Sequence, residues 1–214
     1  MLLSFASTTH AISPLCGTTL LSDAVLTEDT MCPDIPGSIR IGDSTHPNVA
    51  LDLGRFTLFG QGTLSTHPGV ILQGQGAIVK NGSIESFRVG VQQRGNSTRV
   101  IKIKFAHNHQ YHIQAVNTVN SSATSITFSA ATFVDEIIHM SHVAGYSVDK
   151  CTIKGTQFTE AMYILDSDDV ETTCKTPKGI VACYMDWDTG FPGEHIATVK
   201  TTATNSTQCK ARIQ

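Results

Sequence analysis

The segment Phe105-Ala-His-Asn-His-Gln-Tyr-His-Ile113 sets His107, His109, Tyr111 and His112 close together in a chain with nine histidines. Imidazole titrates near neutrality and a phenol can hand over a proton, so this grouping suits general acid–base chemistry. Lys104 stands just upstream. Removal of a proton beside a carboxylate needs a cation to neutralise the acid, a base, and an acid for the leaving group; Lys104, Tyr111 and His112 supply that set. His107 and His109 would then hold substrate. Strand alternation puts Tyr111 on the side of Ile113, the buried side, and leaves His112 outward. Polar filling of a turn is the competing reading of the same residues.

Lysines form a second pattern. Residues following a recurring apolar position read Lys80, Lys104, Thr127 and Lys154, and Lys102 adds another ammonium group on the same segment. Such a column on one sheet face suits an anionic chain. An ordinary solvated strand face would look the same. Two further groups are less specific. His139-Met-Ser-His142, with Asp135 and Glu136 nearby, fits an acid–base or metal site facing the first histidine group. Asp166, Asp168, Asp169 and Glu171, with Asp186 and Asp188 if the tail folds back, offer oxygen ligands to calcium, although no EF-hand loop or glycine-aspartate calcium repeat is present; a solvated acidic loop is the alternative.

The elements that must position these groups are short strands. The 214 residues are 40% hydrophobic and only 15% charged, with 17 glycines and an abundance of Thr, Ser, Asn, Val and Ile that favours strands and polar turns. Leu53, Val79, Ile103, Ile126 and Ile153 recur at spacings of 26, 24, 23 and 27. Self-similarity at this period points to a solenoid. In Arg99-Val-Ile-Lys-Ile-Lys-Phe105 the alternation predicts Ile101, Ile103 and Phe105 inward with Lys102 and Lys104 outward. A second apolar column follows about ten residues later, through Val89/Val91 and Ile113/Ala115, so each coil holds more than one strand. Gly and Asn punctuate the corners. A sandwich of short strands is the alternative architecture.

These features resemble the right-handed parallel β-helix proteins of the pectate-lyase-like superfamily. The resemblance is carried by Cys16-Gly-Thr-Thr-Leu, Leu26-Thr-Glu-Asp-Thr-Met-Cys32-Pro, Val49-Ala-Leu-Asp-Leu-Gly-Arg-Phe-Thr-Leu-Phe-Gly60 and Gly69-Val-Ile-Leu-Gln-Gly-Gln-Gly-Ala-Ile-Val-Lys-Asn-Gly-Ser-Ile-Glu-Ser-Phe87. It covers residues 16–165 and implies an all-β solenoid of parallel coils with N-terminal and C-terminal caps. The mildly apolar start, which lacks a basic n-region, reads as a weak or clipped signal segment over 1–15, and 166–214, where the pattern lapses, as a cap or tail over the open strand edge. Enzyme members act on polysaccharides, but the Asn-Thr-Asp, Gly-His-Gly and Arg-Ile-Lys set of polygalacturonases, the Trp-Ile-Asp-His motif of pectate lyases and the Tyr-Gly-Phe-Asp-Pro-His motif of mannuronan epimerases are absent. No catalytic residue carries over.

Six cysteines without paired CxxC spacing fit disulfides in an extracellular protein. Cys16 and Cys32 are expected to pair, with Cys174–Cys183 next, Cys151 a core thiol and Cys209 unassigned. Sequons at Asn81, Asn96, Asn120 and Asn205 are glycan acceptors if the source is eukaryotic, although chance also supplies sequons in a chain this rich in Asn, Ser and Thr. A net charge of −3 gives no global basic field for nucleic acid. No window reaches the roughly 18 apolar residues of a membrane span. Two functions follow: a secreted protein recognising an acidic polysaccharide, as a uronan lyase or C5-epimerase if active, or a non-catalytic glycan-binding or surface-structural coil.

Overall fold

A computed structural model describes residues 15–35, 37–130, 133–155, 158–175, 184–187, 197–201 and 210–213. Among the described residues strands pair only in parallel and stack coil upon coil, forming a β-solenoid with almost no helix. One sheet takes Thr19–Leu20, Ile39–Ile41, Pro68–Leu72, Val89–Gln93, Tyr111–Val116, Val134–Ser141, Phe158–Leu165, Tyr184–Trp187 and Lys210–Ile213 in that order. The second sheet is built mainly on Ala50–Asp52, Ile78–Glu85, Arg99–Ala106, Ala144–Gly155 and Asp168–Lys175.

Each sheet turns branched apolar side chains inward at fixed register. In the first sheet Ile39, Val70, Val91, Ile113, Ile138 and Met162 are successive partners, all fully buried. The second sheet carries two buried rows: Leu51–Val79–Val100–Ala123–Val148, and Leu58–Ile84–Phe105–Phe128–Ile153. A column of this kind repeats the same apolar contact on every coil, so burial and backbone pairing reinforce one another.

The recurring apolar positions of the sequence therefore belong to more than one row. Val79 and Ile153 lie in the two different rows just given, whereas Leu53, Gly82 and Ile103 share a third. Ile103 pairs in register with Gly82, and a Cβ on Gly82 would lie 2.5 Å from the Leu53 Cβ. Ile103, Ile126 and Ile153 are buried as expected. Ile101 is not: it stands half-exposed beside Lys80 and Thr124, and Val100 fills the core instead. The cause is Lys102, whose φ of 54° puts a left-handed bend inside the strand and resets its alternation.

Cys16 and Cys32 are joined, with Cα atoms 5.3 Å apart. The expected Cys174–Cys183 bridge is corrected: Cys174 is bonded to Cys151, Cα to Cα 4.6 Å. Cys151 and Cys174 are register partners on adjacent coils, so their Cβ atoms arrive side by side in the core. Cys183 and Cys209 lie outside the described residues.

Candidate functional site

Left-handed residues recur at one corner of the second sheet: Arg55 (φ 75°), Asn81 (61°), Lys102 (54°), Ser125 (59°) and Lys150 (53°). The residues before this corner are in register as Asp52, Lys80, Ile101, Thr124 and Asp149. Arg55 is tied across by its N–H to the Asn81 carbonyl at 2.7 Å, and Ser125 N–H to the Asp149 carbonyl at 2.9 Å. Strand spacing is about 4.8 Å, so cations on alternate coils are about 10 Å apart. Asn81 and Ser125 stand between them.

At the start of this ladder is an open groove of about 620 Å³ lined by Asp52, Arg55, Asn81, Ser83 and Lys102 among others. Its acidic member is already engaged. Asp52 Oδ1 accepts from Gly54 N–H at 2.9 Å and Oδ2 from Asn81 Nδ2 at 3.0 Å, and Lys80 Nζ lies 3.6 Å from the same Oδ2. Burial pushes the Asp52 carboxyl up, but those hydrogen bonds and the Lys80 charge outweigh it and hold the group below the usual carboxylate range. Arg55 and Lys102 are exposed, with no carboxylate partner among the described residues.

The lysines proposed from sequence divide around this corner. Lys80 and Lys102 flank the groove. Lys104 is in register with Ser83, which lines it, and with Thr127. Lys154 stands apart in the row of Glu85, Ala106 and Ser129, so the single column Lys80, Lys104, Lys154 does not exist. Bends inside the strands shift each lysine to a different row. Arg55 and Lys150 were not singled out by sequence, although they lie 47 and 48 residues from Lys102, two coils in each direction.

The trio Lys104, Tyr111 and His112 is not assembled either. Lys104 is on the second sheet, Tyr111 on the outer face of the first, and His112 in the core. His112 turns inward against expectation because three successive coils place two adjacent residues inward at this point: His112 with Ile113, Ile137 with Ile138, and Ala161 with Met162 are all buried. The register correspondingly passes over Gly90, His112, Ile137 and Ala161. His112 lies 5.8 Å from both the Phe105 and Phe128 ring centres, with Nδ1 3.1 Å from Asn108 Nδ2. Burial lowers its pKa to about 3 and keeps the ring neutral, away from solvent. His107 occupies an exposed left-handed corner, and His109 is half-buried. The three histidines do not converge.

Tyr111 instead joins the second histidine group. Its ring stacks on His139 at 4.7 Å, and His139 on Tyr163 at 5.2 Å. Glu136 Oε2 fixes the His139 ring through Nδ1 at 2.7 Å. Burial, then the charges of Glu136 and Asp135, pushes the Tyr111 hydroxyl above its ordinary range. Beside the stack is a hollow of about 290 Å³ lined by Arg88, Gln92, Arg94, Gln110, Tyr111 and Gln114, among others.

His142 lies at another corner, 3.7 Å from Asp166. Asp166 and Asp169 occupy separate left-handed bends, Glu171 is exposed, and no three metal-ligating side chains converge among the described residues. The Asp168 and Asp186 side chains and Asp188 lie outside what is described.

No family model, no curated protein and no solved structure matches this chain. The parallel solenoid stands on geometry, and none of these comparisons supports membership of the pectate-lyase-like superfamily. Among the described residues no helix is long and apolar enough to cross a membrane.

Proposed function

We propose that this chain is a secreted glycan-binding solenoid that lays an acidic polysaccharide along the corner of Arg55, Lys102 and Lys150. The alternation of cation and neutral residue along that corner carries the reading. A polymer whose carboxylates recur at about 10 Å would meet one cation on every second coil, with Asn81 and Ser125 facing its hydroxyls between. The two disulfides fit an oxidising compartment. A panel of alginate, pectate and glucuronan should include at least one binder, and its affinity should fall as salt rises, since the Debye length shrinks to about 3 Å at 1 M. Lys102→Ala and Arg55→Ala should weaken it; Lys154→Ala, off the corner, should not. Absence of binding at low salt defeats the proposal.

The Glu136–His139 pair beside Tyr111 favours a second reading, a uronan lyase or C5-epimerase acting on the other sheet. A carboxylate-oriented imidazole next to a phenol has the parts for proton transfer. Growth of near-ultraviolet absorbance from an unsaturated product, or a changed epimer ratio, that disappears in His139→Ala would establish it. A bound polymer recovered unchanged leaves the module.

A further inference from the structure

We propose that Asn96 and Asn120 carry N-linked glycans, and that the glycan on Asn96 is attached before its coil closes. Both belong to sequons, Asn96-Ser-Thr98 and Asn120-Ser-Ser122, and both are exposed. They stand on adjacent coils of one corner, where Ser97 N–H donates to the Val119 carbonyl at 2.8 Å.

The two ends of the Asn96 amide have separate duties. Its Oδ1 accepts from Val119 N–H at 3.0 Å and so helps hold one coil on the next. Its Nδ2 makes no hydrogen bond among the described residues. A glycan on Nδ2 leaves the carbonyl oxygen in place, so modification and the coil-to-coil bond coexist. In the transfer, Nδ2 attacks C1 of an oligosaccharide carried on a lipid diphosphate; the N–C1 bond forms, the C1–O bond breaks, the lipid diphosphate leaves, and one amide proton passes to a base of the transferase.

Timing follows from the sequon hydroxyl. Recognition requires the Ser or Thr two residues beyond the asparagine. Thr98 is fully buried in the fold, its Oγ1 3.0 Å from Ser121 Oγ and 3.0 Å from Gln93 Nε2. A transferase cannot reach it there. The Asn81 sequon stands apart from this pair: in the folded chain its Nδ2 donates to Asp52 inside the groove.

The test uses the full chain passed through a eukaryotic secretory pathway, treated with an amidase that releases N-glycans and leaves aspartate behind. Peptide mapping should find that conversion at positions 96 and 120, and Asn96→Gln and Asn120→Gln should each remove one glycan from the intact mass. Asparagine retained at 96 and 120 overturns the assignment. For timing, oxidised folded protein made in bacteria and the same protein reduced and unfolded are each given transferase and lipid-diphosphate donor. Modification of Asn96 only in the unfolded sample supports the order proposed; equal modification of both refutes it.

Discussion

Tyr146 donates its hydroxyl to Gln93 Oε1 in the middle of the core, across 53 residues of chain. Both side chains are fully buried, and Gln93 Nε2 in turn donates to Thr98 Oγ1 at 3.0 Å. A polar thread thus runs through the interior, joining Tyr146 to Gln93 on a distant coil and Gln93 to Thr98 five residues further along its own. Such pairing is what makes buried amides and phenols tolerable. Tyr146→Phe should leave the Gln93 acceptor unpaired and destabilise the fold by about 1–3 kcal/mol in urea unfolding. Burial also holds the Tyr146 hydroxyl above its ordinary range. The unfolded chain ionises first, so wild-type stability should decline as pH rises past 10.

His112 sets the opposite limit. Its folded pKa is about 3 against 6.5 when unfolded, so between those values the unfolded chain binds the extra proton. The stabilisation is complete above pH 6.5 and is lost progressively as pH falls towards 3. Equilibrium unfolding from pH 7 to 4 should show this decline, and His112→Phe should flatten it. An unchanged slope in the variant would assign the acid sensitivity elsewhere.

The Cys151–Cys174 bridge should contribute about 2–5 kcal/mol. Non-reducing peptide mapping should recover these two cysteines in one linked pair and Cys16 with Cys32 in another. Paired replacement of Cys151 and Cys174 by Ala should lower the melting temperature while leaving the Cys16–Cys32 peptide intact.

Gly90 sits where successive coils turn two residues inward. A Cβ there would lie 2.6 Å from the His112 carbonyl oxygen and 2.8 Å from the Phe105 ring, so backbone as well as side chain would have to move. Gly90→Ala should cost about 1–3 kcal/mol, measured by chemical unfolding.

The solenoid and the Cys16–Cys32 bond were legible because each leaves a local mark: a period near 25 residues, and two cysteines in one opening coil. The phase within each strand was not. Lysine rarely adopts a left-handed bend, so nothing in its chemistry announces that Lys102 breaks the alternation and exchanges Ile101 for Val100. The same holds for His112, whose inward position depends on a doubled inward step shared with Ile137 and Ala161. Cys151 was recognised as buried, but its partner is fixed by register with Cys174, 23 residues on. The cation ladder escaped notice because it repeats over two coils rather than one.

That two-coil repeat gives the stack a parity. Coils in a solenoid touch chiefly their neighbours, so duplicating a segment of chain can lengthen the stack without disturbing the rest. Duplicating one coil would put every cation beyond the insertion out of step with those before it, whereas duplicating two would preserve the beat. A polymer reading the corner would therefore distinguish odd from even lengthening, although the core would accept either.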